Sequence, residues 1–348
     1  MKKVGIITII SANYGNRLQN YALQEFLRSL GIEIETLDYE RPVPVKMTGY
    51  LKKYLKALAR RLLMRRSGYF ERFDRNITWK NVAGKRISTA DYDYFIAGSD
   101  QVWNPTYDWL DKKITMLTFA LPKQKIAYSA SIGVDEIPEP QKADYQNWLK
   151  DFKAISVREG SGADIVERLT GKRPPVLIDP TLTMCAADWK RVERKPQSVD
   201  TNCDYILTYF LGEVSQANRE EIQNLSAKYD LPVYDLADPA KKNLYRLGPA
   251  EFLYMISHAK LVLTDSFHGS VFSLIYGKPF LVYKRVGSEE KTFSRIETFL
   301  DKFALKRKYV ESGLENDPFE ADYSLSYERL AIEQKKARDY LKEVLELP

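Results

Sequence analysis

The stretch LVLTDSFHGSVFSLIYGKPFLVY, residues 261–283, decides the expected fold because two strand patterns flank one helical pattern. Residues 260–264 predict a short buried strand, residues 268–276 predict a helix after a turn, and residues 279–283 predict the next strand. A strand, a helix and a further strand in this order are typical of a right-handed βαβ unit in a mostly parallel sheet.

The same alternation continues on both sides of this stretch. Upstream, strands are predicted at 205–211 and 232–236, with helices at 216–229 and 249–258. A separate set of strands at 4–10, 32–39, 92–97, 125–130 and 154–157 precedes it, with helices at 16–30 and 141–150. Polar, irregular sequence separates the two sets, and 348 residues suffice for two domains of ~150 residues. We therefore predict an α/β protein with two Rossmann-like domains at 1–175 and 176–325. A C-terminal helix at 326–348 is expected to pack back on the body.

Composition excludes several classes of protein. The chain has 44% apolar and 29% charged residues, which is typical of a folded globular protein. No apolar run approaches the ~20 residues of a membrane span, and the apolar start at 4–10 is expected to be a strand, not a secretory signal. Two cysteines, Cys185 and Cys203, give no disulfide framework and are expected to be ordinary packing residues in a cytoplasmic protein. Two histidines are too few for a dedicated transition-metal centre, so no metal is expected.

The net charge of +6 is concentrated in one segment. Residues 41–70 contain nine Lys and Arg residues and no Asp or Glu, so the rest of the chain carries −3. This distribution argues against a nucleic-acid partner. The segment also has leucines and tyrosines near helical spacing, which predicts an amphipathic basic helix. A solvated helix or lid, or peripheral contact with the anionic inner face of the cell membrane, would each explain it.

Ligands of open α/β sheets bind at the carboxyl ends of strands, and two such segments lie in the N-terminal half. After the first strand, small and amide residues can present hydrogen bonds to a polar ligand, although a capping loop has the same composition; they are Asn13, Gly15, Asn16 and Gln19. After the strand at 92–97 come Gly98, Ser99, Asp100, Gln101 and Trp103. Trp103 could stack on a sugar and Asp100 could accept a hydroxyl proton, or the pair could be a core tryptophan and an Asx turn.

Two further segments supply positive charge. Arg158 ends an apolar strand, where a guanidinium can hold a carboxylate or a phosphate, or form an ion pair with Glu159 or Asp179. His268 lies at a predicted helix N-terminus, where the helix dipole favours an anion. Its neighbours in the candidate binding segment are Asp265, Ser266, Phe267 and Gly269. No Gly-x-Ser-x-Gly, Walker or Gly-x-Gly-x-x-Gly motif is present, which argues against a hydrolytic triad or a nucleotide-binding loop of those kinds.

Taken together, these segments resemble the polysaccharide pyruvyl transferase family. The matching motifs occur in family order and span most of the chain: residues 13–23, 98–104, 156–159, 179–182, 264–269 and 278–280, with a weaker echo at 294–296 that includes Arg295. Residues 41–70 and the tail after 310 match no motif of the family, which leaves the choice of acceptor open.

The resemblance implies a GT-B-like architecture with a cleft between an acceptor-side N-terminal domain and a donor-side C-terminal domain. It implies an enzyme without a cofactor that transfers a pyruvyl group from phosphoenolpyruvate to two hydroxyls of one sugar. The sugar would belong to a glycan or a lipid-linked oligosaccharide, and the products would be a cyclic ketal and phosphate. By position, Arg158 and His268 correspond to the donor-binding pair, and Asp100 is the candidate base. A glycosyltransferase that uses a nucleotide-activated sugar and a non-catalytic carbohydrate- or anion-binding protein remain alternatives.

Overall fold

The computed structural model describes residues 1–39, 66–285, 294–310 and 317–348, which form two compact units. Among these residues, the first unit comprises 1–39, 76–184 and 327–348. The second comprises 66–75, 185–285, 294–310 and 317–326. None of the helices in the described residues is both long enough and apolar enough to cross a membrane.

Each unit contains a sheet and its surrounding helices. The strands are β1 (Lys3–Ile7), β2 (Glu33–Asp38), β3 (Trp79–Asn81), β4 (Tyr94–Ala97), β5 (Lys125–Ala130), β6 (Ala154–Val157), β7 (Ile206–Tyr209), β8 (Val233–Asp235), β9 (Leu261–Thr264), β10 (Phe280–Tyr283) and β11 (Tyr309–Val310). The helices are α1 (Tyr14–Ser29), α2 (Arg66–Phe73), α3 (Lys112–Thr115), α4 (Glu139–Lys150), α5 (Gly160–Thr170), α6 (Ala186–Lys190), α7 (Gln216–Tyr229), α8 (Lys242–Tyr245), α9 (Pro249–His258), α10 (Phe267–Ile275), α11 (Ser294–Lys302) and α12 (Ser324–Val344). Short 3₁₀ turns occupy Asp74–Asn76, Thr89–Asp91, Pro122–Gln124, Pro180–Thr183 and Lys306–Lys308.

The first sheet has the strand order β3-β2-β1-β4-β5-β6, and every pairing in it is parallel. The chain winds outward from β1 in one direction through β2 and β3, and then in the other through β4 to β6. The direction therefore reverses between β1 and β4, and a ligand site is expected outside the carboxyl ends of these two strands.

The second sheet has the order β11-β10-β9-β7-β8 and is also parallel throughout. Here the chain goes from β7 to β8 on one side and then to β9, β10 and β11 on the other. The reversal lies between β7 and β9, so the corresponding ligand position is outside the carboxyl ends of those strands. The prediction of an α/β fold with two Rossmann-like domains is confirmed.

The boundary between the units differs from the predicted one at 175–176. Val176 forms a parallel bridge with Val157 at the end of β6, and Leu177 donates its backbone N–H to the carbonyl of Val157 at 2.9 Å. These bonds extend the first sheet by a short segment, so the first unit continues to Met184. Cys185 and Cys203, expected to be packing residues, are both exposed.

The helices α2 and α12 belong to different units. The predicted basic insertion of the N-terminal domain lies mostly outside the described residues. Its described end begins α2, which belongs to the second unit, where Tyr69 packs against Gly248 and Arg72 lies 3.9 Å from Glu251. Residues 66–70 therefore belong to the second unit and not to the predicted first domain, and the rest of the predicted insertion lies outside the described residues. Most of α12 belongs to the first unit, where Tyr340 donates to the carbonyl of Ala127 at 3.0 Å.

Candidate active site

The carboxyl edge of the first sheet holds a buried cluster of polar side chains where β1 adjoins β4. Asp100 follows β4, Asn16 lies in the first turn of α1, and Arg158 follows β6; all three are buried. Nη2 of Arg158 donates to Oδ1 of Asp100 at 3.0 Å, and Nδ2 of Asn16 donates to Oδ2 of the same carboxylate. The structure thus brings together residues from three of the four predicted segments.

Arg158 is held by carboxylates on both of its terminal nitrogens. Besides the bond to Asp100, Nη1 donates to Oδ2 of Asp179 at 2.6 Å, and the residue is only 3% exposed. Burial by itself lowers the pKa of the guanidinium, but the charges of Asp100, Asp179 and Glu159 outweigh burial and raise this pKa above its ordinary value. Arg158 therefore forms the ion pair with Asp179 that the sequence left open as an alternative. Its role as a donor ligand stays a prediction.

The charge of this cluster also bears on its ligand. Among the described residues, three carboxylates, those of Asp100, Asp179 and Glu159, act on the one guanidinium of Arg158, so these four groups together carry a negative charge when ionised. A negative, buried group of side chains opposes the approach of a polyanion and suits hydroxyl groups, which donate hydrogen bonds to carboxylates. Asp100 already accepts from Asn16, Arg158 and the backbone N–H of Gln101, the last at 2.8 Å. Its role as a base stays a prediction.

Glu159 fixes the turn that follows β5. Its Oε1 accepts hydrogen bonds from the Ser131 hydroxyl at 3.0 Å and from the backbone N–H groups of Ile132 and Gly133 at 2.8 and 3.2 Å. Gly133 has a φ of +68°, and a Cβ there would lie 2.2 Å from Oε1 of Gln101. The turn can therefore pack on Gln101 only with glycine at this position.

Gln19, Ser99 and Gly98 hold together the strand ends that carry the cluster. Gln19 donates to the Thr8 hydroxyl at 2.7 Å and accepts from the backbone N–H of Ser99 at 3.2 Å, which ties the end of β1 to the end of β4. Gly98, at φ +119°, lets the backbone approach Tyr128, because a Cβ would lie 2.4 Å from the Tyr128 carbonyl oxygen. These contacts are structural.

For Asn13 and Trp103, the structure contains the alternative without a ligand that the sequence left open: a helix cap and a core tryptophan. Asn13 caps α1: its side chain accepts from the backbone N–H groups of Gly15 and Asn16 at 2.8 and 3.4 Å. Trp103 is fully buried and donates its indole N–H to the carbonyl of Thr115 at 3.2 Å. The expectation that Trp103 stacks on a sugar is wrong, because its ring belongs to the core.

The second unit has its own cluster, where β7 adjoins β9. Asp265 follows β9 and accepts hydrogen bonds from the backbone N–H groups of Leu211 and Gly212, after β7, at 2.7 and 2.8 Å. Nε of Arg285, which follows β10, lies 3.3 Å from Oδ2 of Asp265. One carboxylate thereby joins three strand ends. Ser266 caps α10 by accepting from the backbone N–H of Gly269 at 3.3 Å.

His268 lies in the first turn of α10, and two buried arginines belong to the same unit. His268 is 7% exposed, and Arg285 and Arg295 are 6% and 7% exposed. Arg295 lies four residues before Phe299, so the two share a face of α11, and the ring of Phe299 lies 5.9 Å from that of Phe267. The Arg295 face therefore packs toward the first turn of α10. A helix N-terminus with a histidine and two arginines on packed elements is an environment suited to an anion.

A comparison with protein families decides the identity. A family model described as polysaccharide pyruvyl transferase matches residues 13–285. The chain belongs to this family. The matched range contains the Asp100–Arg158 cluster and the segment from Asp265 to Arg285, and it ends before Arg295. No curated protein matches the sequence.

Solved structures resemble this chain at low sequence identity. UDP-GlcNAc 2-epimerase of Neisseria meningitidis, bound to UDP-GlcNAc, is 12% identical with a TM-score of 0.50 over 99% of both chains. MurG of Acinetobacter baumannii is 11% identical with a TM-score of 0.40, over 98% of this chain and 95% of that one. Alr3699/HepE of Anabaena, in complex with UDP and glucose, is 10% identical with a TM-score of 0.46, over 99% and 100%. The fold is GT-B-like, and at such identities the likeness shows the fold alone.

Arg285 belongs to the second-unit cluster but is not among the residues predicted from the sequence. A signal was present: Arg285 follows the apolar strand β10 in the same way that Arg158 follows β6, and both bond an aspartate across a strand end. Among the described residues, no group of three or more His, Cys, Asp or Glu is arranged to hold a metal ion.

Proposed function

We propose that this pyruvyl transferase moves a pyruvyl group from phosphoenolpyruvate to two hydroxyls of one sugar, forms a cyclic ketal and releases phosphate. The observation that carries the proposal is the cationic surrounding of the α10 N-terminus in the second unit, where His268, Arg285 and Arg295 are all buried. A donor with a phosphate and a carboxylate needs fixed positive charge and backbone N–H groups, and this segment offers both.

The charges of the two units favour different substrates. In the second unit, Arg285 bonds Asp265, whose carboxylate also accepts from backbone N–H groups after β7, and the same unit contains buried Arg295 and the N-terminus of α10. In the first unit, three carboxylates act on Arg158. We therefore assign phosphoenolpyruvate to the second unit and sugar hydroxyls to the first, and we assign to Arg158 the holding of Asp100 instead of the donor.

The reaction consists of one protonation, two hydroxyl additions and the departure of phosphate. A proton adds to the methylene carbon of phosphoenolpyruvate, which becomes the methyl group and makes the neighbouring carbon electrophilic. One sugar hydroxyl adds to that carbon and loses its proton, and the carbon–oxygen bond to phosphate breaks. The second hydroxyl then adds, loses its proton and closes the ring. Of the two protons released, one balances the proton added to carbon and the other leaves with phosphate.

His268 is the proposed proton carrier or phosphate ligand. Its place in the first turn of α10 puts an imidazole beside the backbone N–H groups of a helix N-terminus. A positioned acid or base contributes ~10²–10⁴-fold to the rate of a proton transfer. Asp100 is the proposed base toward the acceptor, because its carboxylate lies at the carboxyl edge of the first sheet.

Phosphate release from phosphoenolpyruvate in the presence of a panel of glycans tests the function. We expect His268→Ala to lower the rate by at least ~10²-fold, and His258→Ala to leave it unchanged. His258 is the matched control, because it is the only other histidine, belongs to the same unit, is exposed and stacks on Tyr254 with ring centroids 3.8 Å apart. Full activity of His268→Ala would refute the assignment of the site. Stabilisation by nucleotide sugars but not by phosphoenolpyruvate would refute the choice of donor.

A further inference from the structure

An exposed pair of stacked aromatic rings follows the first-unit cluster along the chain. The rings of Tyr107 and Trp109 have centroids 5.3 Å apart and planes inclined by 26°. Trp109 is 63% exposed, whereas Trp103 and Trp189 are fully buried. Tryptophan is on average a highly buried residue, so this degree of exposure is unusual. Because one face of the indole lies against Tyr107, the other face is open to solvent.

Tyr107 is anchored in the loop that follows the carboxyl edge of the first sheet, and the indole of Trp109 stacks on it. Tyr107 packs partly against the core of the first unit, and its backbone N–H donates to the carbonyl of Asn104 at 3.3 Å. The Asn104 side chain donates to Oε1 of Gln101 at 2.5 Å, and Gln101 adjoins Asp100. A ring fixed in this way loses little conformational entropy when a ligand stacks on it.

The surroundings of the pair are polar. Thr106, Asp108 and Asp111 are exposed on the same loop, and Nζ of Lys112 donates to the carbonyl of Tyr107 at 2.8 Å. Contiguous exposed apolar patches larger than a few hundred Å² mark protein-binding surfaces, and one indole among polar neighbours is not such a patch. A saccharide ring needs one flat apolar surface for its C–H face and polar groups around it for its hydroxyls, as small-ligand sites generally do.

We propose that Trp109, supported by Tyr107, is a stacking platform for a sugar ring of the acceptor glycan, at a subsite next to the Asp100 cluster. The stacking role expected of Trp103 thus belongs to the tryptophan six positions later in the chain. The identity of the saccharide as the acceptor rests on the proposed function, whereas saccharide binding at Trp109 does not.

Binding of the labelled full-length protein to an array of simple hexosides and bacterial exopolysaccharide fragments tests the platform. We compare the unchanged protein with Trp109→Ala, Trp109→Phe and Tyr327→Ala. Tyr327 is the matched control, because it is an exposed aromatic residue on α12. We expect the unchanged protein, Trp109→Phe and Tyr327→Ala to bind the same saccharides. Trp109→Ala should lose at least tenfold in affinity while its melting temperature is unchanged.

Two results would overturn the platform: equal binding by Trp109→Ala and the unchanged protein, or no saccharide bound by the unchanged protein. Phosphate release from phosphoenolpyruvate, measured on the bound saccharides, separates this inference from the proposed function. Saccharide binding that depends on Trp109 without phosphate release would refute pyruvyl transfer and keep the platform. Phosphate release with equal Michaelis constants for the glycan in Trp109→Ala and the unchanged protein would refute the platform and keep the function.

Discussion

Arg158→Met should destabilise the first unit strongly, because it removes the cation between two buried carboxylates. In the structure, Arg158 donates to Asp179 at 2.6 Å and to Asp100 at 3.0 Å, and the Arg158 side chain is almost fully buried. Methionine fills much of the same space but cannot donate a hydrogen bond. Removing one partner of a buried ion pair typically costs about 3–5 kcal/mol, since the other charge stays buried without compensation.

A matched control for this change exists in the same unit. Arg173 also bridges two carboxylates, Asp164 at 2.5 Å and Glu167 at 2.7 Å, but these side chains are about half exposed. Exposed pairs contribute about 0–1 kcal/mol, so Arg173→Met should change little. Both variants therefore remove one guanidinium and two ion pairs, and they differ in burial.

Thermal unfolding monitored by circular dichroism compares the two variants. At ~2–4 °C per kcal/mol for units of this size, Arg158→Met should lower the melting temperature of the first unit by about 6–20 °C, and Arg173→Met by less than about 4 °C. Equal melting temperatures, together with a specific loss of affinity for phosphoenolpyruvate in Arg158→Met, would refute the structural role and restore Arg158 as a donor ligand.

Three further predictions follow from the structure and a fourth from the sequence. Gly269→Ala should unfold or distort the second unit, because a Cβ would lie 2.6 Å from the Thr264 hydroxyl oxygen, and near-ultraviolet circular dichroism would detect the change. Burial lowers the pKa of the Lys112 amine to about 8, so acylation at pH 8 followed by mass spectrometry should label Lys112 faster than the other lysines. Asp265→Asn should weaken phosphoenolpyruvate binding measured by calorimetry without abolishing it, because the amide cannot accept the bonds of both strand ends and Arg285 equally. If residues 41–70 contact anionic membranes, the protein should float with anionic liposomes at low salt. At high salt, where charge is screened within a few Å, the protein should no longer float with them.

The sequence was sufficient to predict most strands of both sheets, but not the edge strands β3 and β11 and not the strand order. Alternating strands and helices predicted two Rossmann-like domains, and helices such as α7 and α9 begin and end where the pattern indicated. Strand order could not be predicted, because it depends on which strands pair and not on local periodicity. The edge strand β3 was missed because its residues, Trp79–Asn81, are few and mostly polar.

The candidate site was predictable as a set of strand ends but not as a network. The carboxyl-end rule selected Asp100, Arg158 and His268, and the structure places the first two in direct contact. The sequence left an ion pair of Arg158 with Glu159 or Asp179 as one alternative. It did not indicate that both Asp100 and Asp179 would bond Arg158, because these residues are brought together only by tertiary structure.

Sequence alone also did not predict which of two tryptophans in one loop is buried. Trp103 follows apolar Val102 and turns inward, whereas Trp109 lies among exposed polar residues and turns outward. Both positions follow the same strand, and residue type does not distinguish them. The polar neighbours of Trp109, Asp108 and Asp111, were the available signal.

Amide hydrogen exchange with and without phosphoenolpyruvate is the most direct test of where the donor binds. If the α10 N-terminus holds the phosphate, peptides that cover residues 266–270 should exchange more slowly when the donor is added, and peptides around Arg158 should be unaffected. Protection around residues 98–104 and 156–160, with none at 266–270, would contradict the assignment of the donor to the second unit.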